Sequence, residues 1–152
     1  MIVWAHNGHI FNAYYKADWT AISVEPQPGG MTPTGALLKA ALGDEVYAVG
    51  FTAHGGRFGQ VGLPNWQSPH ADGAWPIEEA PENSLASTLH TVGESYLFVD
   101  FRRVRAQPSH WLAQPMPLSL RGYNRHEVLD WTQVVDGLFF IDVMTPSHST
   151  GH

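Results

Sequence analysis

His6 and His9 stand three residues apart around Asn7 and Gly8, directly after the short apolar run of residues 1–5. Imidazole titrates near neutrality, so either ring can take a proton from water or steady a developing oxyanion. Spacing alone leaves three readings open: a metal pair, a proton-transfer pair, or loop histidines that satisfy hydrogen bonds. Two features favour chemistry. The run before them reads as a buried strand delivering polar atoms to the crevice where a parallel sheet opens, and Gly8 lets the backbone turn there. A metal would need a third ligand, for which His54 is the nearest candidate; neither a metal nor a cofactor is expected.

His54 ends a second apolar run and precedes Gly55 and Gly56, so it is a candidate to line the same crevice, against the alternative of a loop histidine bonded to backbone. Trp66, His70 and Trp75 fall in a long segment, 62–82, rich in Pro and Trp. Loops of that length are uncommon unless functional, and these rings either form a substrate lid or simply cover the core. Asn7, His54, Trp66 and Trp75 are therefore the substrate-binding candidates beside the catalytic candidates His6 and His9. Asp100 and Arg102, two apart at the end of a strand-like run, share a face by alternation and suit a structural ion pair.

The elements that must position these residues read as an alternation of strands and helices. After the first run, 11–30 is aromatic and then rich in Pro and Gly, a loop or lid with one irregular helical turn. Thr32 or Thr34 can cap a helix whose Leu37, Leu38, Ala41 and Leu42 mark one face and whose stop is Gly43. Residues 46–51 read as a second strand running into a glycine-rich loop or hairpin over 52–59. Asn83 or Ser84 caps a short helix over Leu85, Leu89 and Val92, closed by Gly93, and 96–101 is a third strand. Residues 108–125 are broken by prolines, and 134–143 is the last apolar strand, ended by Thr145-Pro146. The pattern predicts an α/β layer with a largely parallel sheet and helices packed on its faces. One domain over 1–146 and a mobile tail over 147–152 follow.

Composition narrows the partners. A formal net charge of -6 gives no electrostatic reason to approach phosphate backbones, and the basic cluster Arg102, Arg103 and Arg105 is too short for a nucleic-acid footprint. Without cysteine there is no disulfide or thiolate metal site. No apolar run approaches the roughly 18 residues of a membrane span, and a signal peptide is not legible, so a soluble, cytoplasmic chain without nucleic-acid or membrane partners is expected. Only 14% of residues are charged while six Trp, seven Phe and five Tyr load the chain with bulky rings. Either long uncharged Gly- and Pro-rich loops or a surface covered by another polypeptide accounts for so sparse a charge coat.

The segment Trp4-Ala5-His6-Asn7-Gly8-His9 resembles the erythromycin esterase family, whose recurring core is a strand ending in Trp-Ala-His-Asn-x-His. Similar stretches follow in the family's order: the helix from Met31 to Leu42, Tyr47-Ala48-Val49-Gly50-Phe51-Thr52 with Gly55 or Gly56, Asn83-Ser84-Leu85, Phe98-Val99-Asp100-Phe101-Arg102, and Val135-Asp136-Gly137 with Thr145-Pro146. The resemblance spans nearly the whole chain, and its first motif is the specific one.

What the resemblance implies is a hydrolase that opens a carboxylic ester, in the best-known members a macrolide lactone and hence an antibiotic-resistance activity, with water activated by His6 and His9. No serine nucleophile is called for, and the chain has no Gly-x-Ser-x-Gly elbow. The working division makes His6 the base or water-positioning group and His9 its partner or oxyanion donor. Family members are much longer and carry an N-terminal Gly-Glu-x-x-His-Gly-type segment that faces these histidines; nothing in this sequence matches it. The chain thus resembles the C-terminal half of the domain, expected to need its missing N-terminal half or self-association for turnover on a small ester or lactone. The alternative is a truncated remnant or small-molecule binding module that keeps the fold without catalysis.

Overall fold

The computed structural model describes residues 1–17, 21–59, 74–120 and 125–146. In chain order the elements are α1 (Asn7–Ile10), β1 (Tyr14–Tyr15), β2 (Ile22–Ser23), α2 (Thr34–Leu42), β3 (Val49–Gly59), β4 (Ala74–Ile77), α3 (Leu85–His90), β5 (Tyr96–Asp100), α4 (Phe101–Arg105), β6 (Met116–Leu118), β7 (Glu127–Leu129) and β8 (Gly137–Met144). The main sheet has the order β4-β3-β8-β5, and β1-β2 and β6-β7 are small antiparallel pairs beside it.

The main sheet is mixed and mainly antiparallel, which corrects the expectation of a largely parallel one. Only β3 and β8 run parallel, from Val49↔Gly137 to Gly56↔Met144. β4 pairs antiparallel with β3, from Gly56↔Ile77 to Gly59↔Ala74, and β8 begins opposite the end of β5, at Asp100↔Gly137, in a second antiparallel pair. A parallel neighbour requires a long crossover, and β3 to β8 is the connection that has one.

Two other expectations about strands also change. Residues 1–5 form no strand; Met1, Ile2, Val3 and Trp4 are exposed. Residues 52–59, expected as a loop or hairpin, continue β3, whose 56–59 stretch pairs antiparallel with β4, and Trp75, expected in a lid or over the core, is part of β4 opposite Phe58. Gly56 explains part of this: its φ is +110° and a Cβ there would overlap the Met144 backbone, so the strand passes β8 more closely than a side chain allows. Trp66, His70 and the 147–152 tail lie outside the described residues.

The helices keep their expected stops. α2 ends at Gly43 with φ +57°, although Pro33 rather than a threonine stands at its N-cap. Its buried side is Gly35 and Ala36, while Leu37 is 59% exposed and Leu42 is exposed too. The reason is contact with α1: a Cβ on Gly35 would overlap the Ile10 carbonyl, so the small-residue side faces inward, Leu37 and Leu42 face out, and Leu38 is half-buried. α3 is capped by Ser84 Oγ, which accepts from Ser87 N at 3.1 Å, and Gly93 with φ +80° follows it.

The core lies on one face of the sheet. Leu138 and Phe140 of β8 meet Leu85 and Leu89 of α3, Phe101 and Val104 of α4, and Trp131, whose Nε1 donates to Met116 O at 2.7 Å. Thr52 is buried there with its hydroxyl donating to Ser119 O. The opposite face carries a ladder of rings: Trp4 to Phe51 at 5.3 Å, Phe51 to Phe139 at 5.4 Å, Phe139 to Tyr96 at 6.1 Å. Trp4 is 82% exposed, Tyr96 64% and Phe98 54%.

Asp136, fully buried just before β8, ties the sheet to the helices. Its Oδ2 accepts from Ala48 N at 2.9 Å and from Asn12 Nδ2 at 3.3 Å; its Oδ1 accepts from Arg102 Nε at 3.2 Å and an Arg105 guanidinium nitrogen at 3.0 Å. Burial by itself raises the carboxyl's pKa, but these hydrogen bonds and the Arg105 charge outweigh it and hold Asp136 below the usual carboxylate value. The expected Asp100–Arg102 pair is therefore replaced. α4 starts at Phe101 and ends the alternation, so Asp100 pairs with Arg103 at 3.2 Å, while Arg102 turns to Asp136 and the Val46 carbonyl.

Candidate active site

The segment 6–9 is a single helical turn held from three directions. Asn7 spans the open edge of β3: its Nδ2 donates to Phe51 O at 2.6 Å and Leu120 O at 2.9 Å, and its Oδ1 accepts from Phe51 N at 3.0 Å. With its amide bonded to backbone at three points, Asn7 positions the turn. Gly8 is buried, and Tyr15 donates its hydroxyl to the Gly8 carbonyl at 3.1 Å. A Cβ on Gly8 would overlap that hydroxyl, so the glycine is required for close approach and not for a left-handed turn. Farther on, Asn12 N donates to Val134 O at 2.8 Å and the Asn12 amide reaches Asp136, linking the turn to the buried carboxylate.

This anchoring brings His6 and His9 together at the surface, with ring centroids 6.0 Å apart and planes crossing at 66°. His6 stands at the N-cap of α1, and its Nδ1 accepts from Gly8 N at 3.1 Å. A neutral imidazole has one N–H and one lone pair. With the lone pair on Nδ1 occupied by the backbone, the His6 proton sits on Nε2, facing outward as a donor. Burial, and after it the neighbouring His9, holds the His6 pKa below 6.5, which favours this neutral form. His9 makes no hydrogen bond through its ring among the described residues, leaving a lone pair free. Trp4 and Phe51 flank the turn on the aromatic side of the sheet.

His54 does not join this pair. Its ring stacks on His90, centroids 4.0 Å apart and 7° from parallel, on the sheet face covered by α3. His90 Nδ1 in turn lies 2.5 Å from Asp142 Oδ1. Trp75 is half-buried within β4. Among the described residues no three His, Cys, Asp or Glu side chains are arranged to hold a metal ion, and none of their helices is long and apolar enough to cross a membrane. Sequence reasoning missed His90 and Asp142. The one signal was Asp142 itself, a charge inside the apolar strand 137–144, where an unpartnered carboxylate is costly.

Comparison with known proteins agrees with the fold. Two solved structures superpose on the chain. One is a succinoglycan biosynthesis protein (TM-score 0.68, 21% identity), with 96% of this chain and 33% of the other covered. The second is a Bacillus cereus protein (TM-score 0.66, 19% identity), with 99% and 35% covered. At such identities the likeness is one of fold, and this chain spans about one third of the length of either structure. No curated protein matches. The family model for erythromycin esterase matches residues 1–143, from before the histidine turn to nearly the end of β8, and the chain belongs to that family.

Proposed function

We propose that the chain carries the histidine half of an ester-hydrolase site, in which His9 activates water and His6 stabilises the oxyanion. The observation that carries this reading is the hydrogen bond from Gly8 N to His6 Nδ1, because it leaves His6 a donor through Nε2–H and leaves the proton-accepting role to His9. This exchanges the roles expected from the sequence. Water would lose a proton to His9 as its oxygen bonds to the acyl carbon. The carbonyl oxygen, now negative, takes the hydrogen bond from His6 Nε2–H, and collapse expels the alcohol, which recovers the proton from His9. Membership of the erythromycin esterase family supports ester cleavage; a macrolide lactone is the narrower substrate, and the exposed Trp4 ring, packed on the half-buried Phe51, suits an apolar acyl or lactone body.

The site needs a cover. Solved structures of the same fold are about three times as long, and the ring ladder from Trp4 to Tyr96 faces solvent. A polypeptide seated on that face, from a longer chain or a second copy, completes the crevice. A second reading has one observation in its favour: among the described residues no carboxylate contacts His6 or His9, so a binding module without turnover is the alternative.

The test is hydrolysis of a non-activated alkyl ester and of a macrolide lactone by the purified chain and by His6→Gln and His9→Ala. Under the hydrolase reading each substitution lowers kcat by about a hundredfold or more. Turnover that survives both substitutions sinks it, and ligand binding without any turnover favours the binding module.

A further inference from the structure

The stack of His54 on His90 has the make-up of a second reactive centre. Three elements build it: β3 contributes His54, the last residue of α3 contributes His90, and β8 contributes Asp142. An ionised carboxylate only accepts hydrogen bonds, so the 2.5 Å contact puts the His90 proton on Nδ1, and the lone pair of the neutral ring is on Nε2. The His90 side chain is 48% exposed. His54 braces its flat side, and His54 Nδ1 is buried with no hydrogen-bond partner among the described residues, so that ring is held by stacking rather than by its own polar contacts. An ion pair that merely fastens α3 to the sheet requires neither an oriented ring nor an outward lone pair. A nucleophile requires both.

We propose that Asp142 and His90 form a second, nucleophilic dyad that takes acyl groups from small activated esters, such as aryl esters, onto His90 Nε2, independently of His6 and His9. The Nε2 lone pair bonds to the acyl carbon, and the bond from that carbon to the aryl oxygen breaks, its electron pair leaving with the aryloxide. The acyl-imidazolium that results bears a positive charge facing Asp142. Water then adds to the acyl carbon, the carbon–nitrogen bond breaks and returns its pair to Nε2, and the two protons of water end on the carboxylic acid and the aryloxide. His90 is the catalytic residue here and Asp142 the positioning residue that holds its tautomer.

The test uses 4-nitrophenyl acetate with the full chain, sampled during turnover at neutral pH in the cold and examined at once by mass spectrometry of the intact chain with fragmentation. Acetyl is expected on His90 in the wild-type chain and equally in His6→Ala/His9→Ala. In the His6→Ala/His9→Ala background, where the other proposed site is removed, His90→Gln is expected to lower the rate of 4-nitrophenolate release at least about tenfold. Asp142→Asn should lower kcat with KM unchanged, a split that simple loss of packing does not give. Acetyl found on lysine or on His9 instead of His90 overturns the proposal even if His90→Gln fails to fold, and so does a folded His90→Gln chain in the His6→Ala/His9→Ala background that releases 4-nitrophenolate as fast as that background alone. Because the dyad takes activated esters, failure of the alkyl-ester assay with acetylation of His90 intact sinks only the His6/His9 reading; the reverse pattern sinks only this one.

Discussion

Asn7 holds Phe51 by both of its backbone hydrogen-bonding groups, donating to the carbonyl at 2.6 Å and accepting from the amide at 3.0 Å. A side-chain amide here substitutes for the neighbouring strand that the edge of β3 lacks at this position. Asn7→Asp keeps the acceptor and loses the donor, stranding two carbonyls beside a carboxylate. It should cost about 2 kcal/mol in urea unfolding and lower ester turnover, since the histidines are positioned by the same turn. A variant as stable as wild type would show that the turn is held elsewhere.

The Gly8 and Tyr15 contact predicts a rescue. Gly8→Ala drives a methyl into the Tyr15 hydroxyl and is expected to destabilise the chain by about 1–3 kcal/mol. Tyr15→Phe removes that oxygen, so the double variant should be more stable than Gly8→Ala alone, whereas independent sites would give additive losses.

Asp136 sets the acid limit of the fold. Its folded pKa is held below the ordinary carboxylate value of 3.8. The unfolded chain therefore takes up the proton first, and the stability Asp136 contributes is present above pH 3.8 and lost as pH falls through the lower, folded value. Asp136→Asn leaves Arg102 and Arg105 facing a neutral amide and should cost about 3 kcal/mol. Thermal unfolding between pH 3 and pH 7 checks both: the variant should be less stable at pH 7 and should lose less on acidification.

His6 behaves in the same direction near neutrality. Its folded pKa is lowered from 6.5, so the unfolded state binds the proton more readily, and stability present above pH 6.5 declines as pH falls through the folded value. The extra proton enters at Nδ1, where it ends the hydrogen bond from Gly8 N. Nitrogen-detected NMR should find the Nε2–H tautomer at pH 7.5 and a titration midpoint under 6.5. An Nδ1–H tautomer would remove the assignment of His6 as oxyanion donor.

The exposed ring face predicts association. Sedimentation at tens of micromolar should reveal species larger than one chain, and Tyr96→Lys with Phe98→Lys should return it to a monomer, since large apolar patches are rarely left bare. A wild-type monomer at that concentration counts against a second copy as the cover.

Local signals were legible and long-range ones were not. The histidine turn, the Ser84 cap, Gly43 and Gly93 are all chemistry of neighbouring residues, readable without knowing the fold. Strand direction depends on where the chain returns, and nothing near Tyr96 announces that β8 will start beside Asp100. The apolar run at 1–5 looks like a strand, yet a strand needs a partner and the edge it approaches is occupied by Asn7. β3 was cut short because Gly55, Gly56 and Gly59 read as loop residues, when Gly56 is what lets the strand approach β8. The leucines of α2 mark one face in the sequence, but the close approach of α1 at Gly35 turns Leu37 and Leu42 outward. His54 was drawn toward His6 because both follow apolar runs; its partners, His90 and Asp142, lie 36 and 88 residues farther along.

The aromatic ladder runs unbroken from Tyr96 to Trp4, and Trp4 is two residues from His6. Whatever settles on that side of the sheet leans on the indole that precedes the histidine turn in the chain. Under the proposed hydrolase reading, docking on that face and turnover would share a hinge point at Trp4, and a ligand that pushes the indole aside would shift the backbone that leads into His6.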